Sequence, residues 1–349
     1  MPSPCRNRLQ SAWRWLRNAR RDRHWLSLGG LALCAGVWAV TVMPRTQPLE
    51  GTLEATAINF SLPPALPVEG LPFLGLSLRS LTLSSVEGTE PPRIRIGDTT
   101  LTLADGDSLT LEAAAPRPGK EPVLFAQVRL LAGARVRQLQ AVGSGERELS
   151  MELRPPARDG NQPPVALTIT PDQPLRARLS RGNTQAPSVP PSEFSPRLRG
   201  ALVLRLLPLE PDKAVVFEPA LPVRDLALEA ESPSLFDGSK LIRSSLRQGE
   251  LHLGLREALP LRPDQVLTIH PPGINELTDL RLQAKGTSLV MAVVGESTGI
   301  SAGLSRKHPT VLVSGTVLSR FLRPEQIAGF YAFLGAMAGA ALLVFLKVD

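Results

Sequence analysis

An apolar run at residues 24–43 limits the possible architecture of this chain more than any other feature. Residues 25–43 carry no charge, and about 20 apolar residues at roughly 1.5 Å of rise each cross the roughly 30 Å of hydrocarbon in a bilayer. Seven arginines and one acid, Asp22, precede the run. Because basic flanks stay in the cytoplasm, the sequence predicts a transmembrane helix at 24–43 with a cytoplasmic N-terminus.

Two processed forms compete with an uncleaved anchor. A signal peptide needs a shorter apolar core and small residues before its cleavage site, and residues 39–41 fit that pattern poorly. A lipoprotein needs a small residue before the modified cysteine, but Leu33 precedes Cys34. Since the only other cysteine is Cys5, no disulfide can form within residues 44–323.

The basic tail, residues 1–23, also carries an amphipathic helical pattern. Five of its residues form a predicted contact with an anionic membrane surface, namely Leu9, Trp13 and Leu16 on the apolar face and Arg14 and Arg17 beside it. Each arginine near such a surface contributes about 1 kcal/mol. Two alternatives stay open: the arginines only set the topology, or they recruit a cytosolic partner.

A second apolar run, residues 327–346, predicts a second transmembrane helix within residues 324–349. Four small residues share one face of this helix and include a GxxxG pattern: Gly335, Ala336, Gly339 and Ala340. Small faces let helix backbones approach closely in lipid, so these residues are predicted to pack on the first span or on another protein. Two spans would leave both termini in the cytoplasm and residues 44–323 on the exported side.

The charge and the aromatic residues are unevenly distributed. Residues 44–323 hold 31 basic and 29 acidic side chains, so the net charge of +7 arises mainly in the tail and does not indicate a nucleic-acid surface. All four tryptophans lie in the first 38 residues, and the only tyrosine is Tyr331. Sugar clefts, single-strand nucleic-acid platforms and peptide grooves usually use Trp or Tyr, so their absence from residues 44–323 counts against all three.

From Leu49 onward, apolar residues alternate at a period of two. The clearest segments are residues 76–83, 94–96, 101–103, 109–111, 123–131, 165–170 and 202–206. Such alternation predicts strands with one buried face, separated here by turns rich in Gly, Asp and Pro. The predicted fold class is mainly β: exported antiparallel β-sandwich or jelly-roll-like modules, flanked by one N-terminal and one C-terminal transmembrane helix.

A stretch rich in proline and serine at residues 186–196 predicts a stiff connector. It separates a first β module, residues 44–185, from a second, residues 197–323. One apolar pattern recurs four times, at residues 78–83, 136–141, 223–228 and 277–282. This recurrence favours a duplicated β module, and chance similarity between leucine-rich strands is the alternative.

The clearest enzymatic pattern is a formal GxSxG at residues 295–299, as in the nucleophile elbow of serine hydrolases. That mechanism needs an acid and then a histidine after Ser297, whereas His308 precedes Glu325 here. The remaining histidines stand singly, and the acid pair in residues 105–107 lacks the other acids of a calcium loop. The sequence predicts no catalytic residue, no metal site and no cofactor.

Together these features predict a two-pass integral membrane protein of a bacterial inner or thylakoid-type membrane. Its exported β domain is predicted to be a non-catalytic scaffold or partner-binding subunit of a membrane complex, with membrane lipids and a protein, but no nucleic acid, as partners. The first alternative is lipid binding or transfer, because a Leu/Val-rich sheet without bulky aromatics can leave an open apolar groove. A serine hydrolase is the third.

Overall fold

The structure is a computed structural model that describes residues 29–39, 41–96, 99–113, 123–143, 146–156, 163–171, 175–180, 197–218, 220–233, 240–255, 258–284, 286–305 and 308–346. Within these residues the protein is mainly β, with antiparallel strand pairing. Every segment that alternation predicts as a strand overlaps a strand of the structure. The predicted mainly β class is therefore confirmed, and the antiparallel sheets fit a sandwich-like arrangement.

The strands are, in chain order, β1 (Gln47–Ala55), β2 (Ala57–Ser61), β3 (Leu71–Ser85), β4 (Arg93–Ile96), β5 (Thr99–Thr102), β6 (Ser108–Ala113), β7 (Leu124–Leu130), β8 (Arg135–Val142), β9 (Glu148–Arg154), β10 (Val165–Pro171), β11 (Leu175–Leu179), β12 (Arg197–Arg199), β13 (Leu202–Pro208), β14 (Val215–Val216), β15 (Leu221–Pro222), β16 (Arg224–Ala227), β17 (Glu229–Pro233), β18 (Lys240–Ser244), β19 (Leu246–Leu253), β20 (Leu259–Leu261), β21 (Val266–Ile269), β22 (Pro272–Leu282), β23 (Leu289–Ser297), β24 (Gly299–Ser305) and β25 (His308–Ser314).

The largest sheet has ten strands in the order β10-β7-β3-β13-β9-β8-β2-β16, with β6 also paired to β3 and β11 to β6. Strand β3 is 15 residues long. One of its edges pairs with β13, while β7 pairs with its first half and β6 with its second half. The alternation of leucine with polar residues in β3 changes phase twice, and the register shifts there, between Pro72 and Leu74 toward β7 and between Leu78 and Ser80 toward β13. These irregularities keep apolar side chains buried in both halves of the strand.

A second sheet has seven strands in the order β14-β22-β23-β1-β19-β20, with β15 also paired to β22. Strand β1 pairs antiparallel with β19, where Gly51 lies opposite Leu251 and Leu53 opposite Gly249. A side chain on Gly51 would collide with the backbone carbonyl of Glu250. This contact requires glycine, because the two strands approach too closely for a Cβ atom.

Three small sheets complete the β unit: β12-β4-β5, β17-β18 and β21-β24-β25. Strands from both sides of residues 186–196 pair with each other, as β13 does with β3, β12 with β4 and β19 with β1. The predicted connector therefore does not coincide with a boundary between sheets. The connector itself lies outside the described residues, and the duplication of a module stays a prediction.

The core of the β unit is built mainly from leucine, with valine, alanine and isoleucine in smaller numbers. Its aromatic part is a row of three phenylalanines, with ring centroids 6.1 Å apart for Phe60 and Phe73 and 5.0 Å apart for Phe73 and Phe217. These distances lie in the range of favourable aromatic pairs. The core thus fills its volume without the Trp and Tyr residues that the sequence confines to the two ends.

By internal contacts the chain divides into two compact units. The β unit comprises the described parts of Pro48–Leu253 and Ala258–Val313, and a terminal unit comprises those of Met1–Gln47, Gly254–Glu257 and Ser314–Asp349. In the terminal unit, residues 29–39 and 41–42 are helical, a short 3-10 turn spans Leu318–Arg320, and a helix spans Pro324–Leu346. Where side chains are described, no helix combines the length and the apolarity needed to cross a membrane.

The segments that enter and leave the β unit pair with each other within the terminal unit. Pro44 forms an isolated antiparallel bridge with Thr316, and the Arg45 N–H donates to the carbonyl of Gly315 at 3.1 Å. The amide of the buried Gln47 side chain donates to the Thr316 carbonyl at 2.8 Å. These contacts hold the two ends of the β unit's chain together.

Candidate binding cleft

A cleft of about 600 Å³, a volume typical of ligand sites, opens in the described part of the β unit. Residues 226–229, 242–244, 266–269 and 304–305 line it. A strand that presents a face to a cavity contributes every second residue, because side chains alternate between faces. Since consecutive residues line this cleft, it runs along strand edges.

Strand β21 provides one of these edges. It pairs with β24 in the antiparallel register Val266–Gly303 to Ile269–Ile300, and the His270 N–H continues that register by donating to the Gly299 carbonyl at 2.9 Å. Antiparallel strands alternate between hydrogen-bonded and non-hydrogen-bonded pairs. The backbone N–H and C=O groups of Leu267 and Ile269 therefore point away from β24, toward the cleft.

Strand β18 provides a second edge by the same argument. It pairs with β17 with Glu229 opposite Ser244, and the Ser245 N–H donates to the Leu228 carbonyl at 3.1 Å. This hydrogen bond makes Glu229–Ser244 a non-hydrogen-bonded pair. The backbone groups of Ile242 and Ser244 consequently point away from β17, so two open strand edges border one cleft.

The two edges meet at one end of the cleft. The Ser244 hydroxyl donates to the Gln265 carbonyl at 2.6 Å, directly before β21 begins. Strand β18 ends at this point and β21 starts there. No strand in the described ranges pairs with the outer edge of β21 or of β18.

The floor of the cleft is apolar. Leu226, Leu228, Leu267 and Ile269 line both the cleft and an adjoining recess of about 170 Å³ that Leu53 and Ile274, among others, complete. These four floor residues pack on the main core. All four residues of β21 are only half-buried. Apolar side chains and backbone groups are therefore partly exposed here, whereas similar groups elsewhere in the β unit are covered.

The mouth of the cleft carries exposed apolar side chains and one cation. Ile242 is 61% exposed and Leu304 83% exposed. Arg243 is exposed and forms no ion pair with any residue that the structure describes. Exposed apolar residues that cluster around a cavity are typical of binding surfaces.

A network of hydrogen bonds between polar side chains holds β17 against the ten-stranded sheet and so positions one wall of the cleft. The Asn59 side chain accepts from the Gln138 N–H at 2.7 Å and donates to the Glu229 carbonyl at 2.9 Å. Gln138 accepts from the Glu231 N–H at 3.1 Å, and Glu231 pairs with Arg137 at 3.1 Å. Gln138 adopts a φ of 49° at a bulge in β8, and this bulge lets the hydrogen-bond network form.

The GxSxG serine lies at a strand corner. Its hydroxyl is fully buried and lies 2.7 Å from the His270 carbonyl and 2.6 Å from the Gly299 carbonyl, either of which can accept its single proton. It also accepts from the Gly299 N–H at 3.1 Å. In this arrangement the hydroxyl of Ser297 joins the end of β23 to the start of β24.

A buried arginine connects two loops elsewhere in the β unit. Arg147 donates to the backbone carbonyls of Gln283, Gly286 and Lys213, at 2.8 Å for Gly286. Burial lowers the pKa of the Arg147 guanidinium, and the nearby Asp212 carboxylate opposes that shift. Its Nε has no partner among the described residues. With three carbonyl acceptors, this guanidinium acts as a clamp on the backbone.

The residues predicted as a membrane-surface contact, Leu9, Trp13, Leu16, Arg14 and Arg17, lie outside the described residues. The four predicted packing residues lie in the helix Pro324–Leu346 and are exposed. No other part of the described chain lies within 4 Å of a Cβ built on Gly335 or Gly339. Their predicted role in helix packing stays a prediction.

Sequence reasoning raised an open apolar groove as an alternative but did not locate the cleft or its residues. The pattern Val-Leu-Thr-Ile at residues 266–269 indicates a strand, but nothing in it shows that one edge lacks a neighbour, because pairing is decided by distant segments. In the described ranges, no group of three or more His, Cys, Asp or Glu residues is placed to hold a metal ion. The Asp107 carboxylate caps its own turn by accepting from the Ala104 N–H at 3.0 Å.

Comparison with protein-family models, with curated proteins and with solved structures finds no significant match to this chain.

Proposed function

We propose that this chain is a two-pass membrane protein whose exported β unit binds a partner and catalyses no reaction. The observation that carries the proposal is the pairing of the chain segments that enter and leave the β unit, Pro44 with Thr316 and Arg45 with Gly315. Each segment continues into an apolar run, at residues 24–43 and 327–346. The first run ends directly before Pro44, and the second begins eleven residues after Thr316. Runs joined through paired segments suit two helices inserted in one bilayer, with both termini on its cytoplasmic face.

Exposed apolar side chains in the terminal unit support this anchoring. Trp38 is 56% exposed and Phe333 62% exposed, and Leu342 and Leu343 are also exposed. Burial of such surface is worth about 25 cal/mol per Å², so a lipid or protein cover would stabilise it. The proposal also draws on the complete sequence, because residues 24–28 and 40 and several side chains after residue 340 lie outside the description.

Binding is favoured over catalysis by the nature of the cleft. It offers an apolar floor and strand edges that have no neighbour among the described residues, and such groups recognise the shape and the backbone of a ligand. The hydroxyl of Ser297, in contrast, is buried and hydrogen-bonded to backbone groups where β23 meets β24. In a membrane complex the exposed small face around Gly335 and Gly339 would be a second contact, used by a partner's helix in lipid.

Alkaline carbonate extraction of cell membranes tests the anchoring. The full chain is expected to stay in the pellet, and a variant that carries Ala336→Arg with Ala35→Arg is expected to move largely to the supernatant, because each charge costs about 3 kcal/mol at a span centre. The control, Glu325→Arg with Arg45→Glu, changes charges outside the apolar runs and should stay in the pellet. Complete extraction of the unaltered full chain would contradict the proposal.

The orientation can be tested with a membrane-impermeant maleimide. In a Cys34→Ser background, the tail cysteine Cys5 should react only after permeabilisation, and a cysteine introduced by Leu304→Cys should react in intact spheroplasts. The reverse pattern of labelling would place the β unit in the cytoplasm and contradict export.

Lipid handling is the second candidate, because the cleft of about 600 Å³ has an apolar floor. Native mass spectrometry of the full chain, extracted in mild detergent, is the test. Lipid handling predicts added masses of single lipids that a charge in the floor, Leu228→Asp, abolishes. The same masses on that variant would show binding outside the cleft.

A further inference from the structure

We propose that the cleft binds an extended peptide segment of a partner protein, which pairs as an added β-strand with the open edge of β21. The proposal deepens the proposed function, since it states what kind of partner the β unit takes. It is argued from two strand edges and an exposed arginine, none of which has a partner among the described residues, and from an apolar floor.

The backbone supplies the first argument. Leu267 and Ile269 direct N–H and C=O groups into the cleft two residues apart, which is the spacing at which a neighbouring antiparallel strand donates and accepts. Ile242 and Ser244 do the same from β18. An acyl chain that filled the cleft would cover these groups without hydrogen-bonding them, at a cost that a peptide strand avoids.

The floor supplies the second argument. A strand beside β21 directs every second side chain toward Leu226 and Leu228 and the recess of about 170 Å³ beneath them. The partner segment should therefore alternate apolar and polar residues. Backbone pairing makes aromatic stacking unnecessary, which agrees with the lack of Trp and Tyr in residues 44–323.

Charge complementarity supplies the third argument. Arg243 lies at the mouth of the cleft, is exposed, and has no acidic partner in the described part of the chain. Glu229, on the paired strand β17, is half-buried, and its backbone carbonyl accepts from the Asn59 side chain. A carboxylate on the partner segment, close to its apolar residues, would complement Arg243.

The test uses the purified full chain and a synthetic peptide that alternates valine with threonine and ends in aspartate. A control peptide has the same side chains with every amide N-methylated, which removes the donors and leaves the apolar groups. Fluorescence anisotropy should show the control binding at least about tenfold more weakly, the equivalent of one or two hydrogen bonds. On binding of the parent peptide, hydrogen exchange should slow at the amides of Leu267 and Ile269.

The second arm of the test reverses the charge of Arg243. Arg243→Glu should weaken binding of the aspartate-ended peptide and strengthen binding of a lysine-ended version, each by about threefold to tenfold in affinity. Arg247→Glu, a matched change at an exposed position outside the cleft lining, should change neither affinity. This arm needs no core substitution, so misfolding does not confuse its result.

Three outcomes would overturn the proposal: no binding of the parent peptide, equal binding of both peptides, or binding without protection of Leu267 and Ile269. Equal binding together with displacement by a fatty acid would assign the cleft to apolar ligands instead. None of these outcomes depends on membrane insertion, so failure of the strand proposal and failure of the anchoring proposal are separate results.

Discussion

Strands β3 and β21 share a short alternation, Leu-Thr-Leu at residues 81–83 and Leu-Thr-Ile at residues 267–269, but have opposite surroundings. Around residues 78–83 β3 is paired along both edges, and its leucines at 78, 81 and 83 are fully buried. Within the part of the chain that the structure describes, β21 is paired along one edge only, and all four of its residues are half-buried. The contrast shows that the alternation which produces a strand does not decide whether that strand closes the core or remains open for a ligand.

The largest expected difference between the two regions is in stability. Leu81→Ala removes a side chain with 0% exposure and leaves a cavity in the ten-stranded sheet, so it should lower the free energy of unfolding by about 2–5 kcal/mol. The matched change Leu304→Ala at the mouth of the cleft should alter it by less than about 0.5 kcal/mol. Urea unfolding of both variants is the measurement, and similar losses would show that the cleft is as closed as the core.

The close approach of the β1 and β19 backbones gives the next largest expected difference in stability. Gly51→Ala puts a Cβ into the carbonyl of Glu250 and 2.9 Å from the Cα of Leu251, and the strands must separate, at a cost of about 1–3 kcal/mol. In β3, Gly75→Ala would place its Cβ 3.5 Å from the Phe125 ring, an ordinary contact. In thermal unfolding, Gly51→Ala should have the lower melting temperature of the two variants. Equal melting temperatures would mean that β1 and β19 are not held this closely.

The smallest expected difference tests which way the amides of β21 point. Thr268→Pro removes an N–H that bonds to β24, whereas Leu267→Pro removes one that faces the cleft. Proline is tolerated where an edge amide faces outward, so Thr268→Pro should be the less stable variant by about 1 kcal/mol. If Leu267→Pro unfolds more easily in urea, the inferred direction of the β21 edge is wrong.

Much of the fold follows from local pattern. Alternating apolar residues predict β3, β7, β10 and β13 because one face of each strand must be buried. The sequence could not show that β13 lies between β3 and β9, since this pairing crosses the proline-rich residues 186–196 and depends on contacts between distant segments. A module boundary inferred from local composition therefore does not match the way the sheets are assembled.

The cleft was less accessible to sequence reasoning than the fold. Its edges exist because β18 and β21 have no outer neighbour in the described ranges, and its floor exists because the partly buried Leu226, Leu267 and Ile269 pack on the margin of the core beside the buried Leu228. The GxSxG pattern is the reverse case. It is visible in the sequence, but burial of Ser297 between two carbonyls makes it a structural corner.

Residue-resolved hydrogen exchange of the ligand-free full chain tests the open edge of β21 most directly. The account predicts alternation along four residues: slow exchange at Val266 and Thr268, whose amides bond to β24, and fast exchange at Leu267 and Ile269, whose amides face the cleft. Slow exchange at all four amides would contradict the account, because it would mean that another segment already occupies the edge.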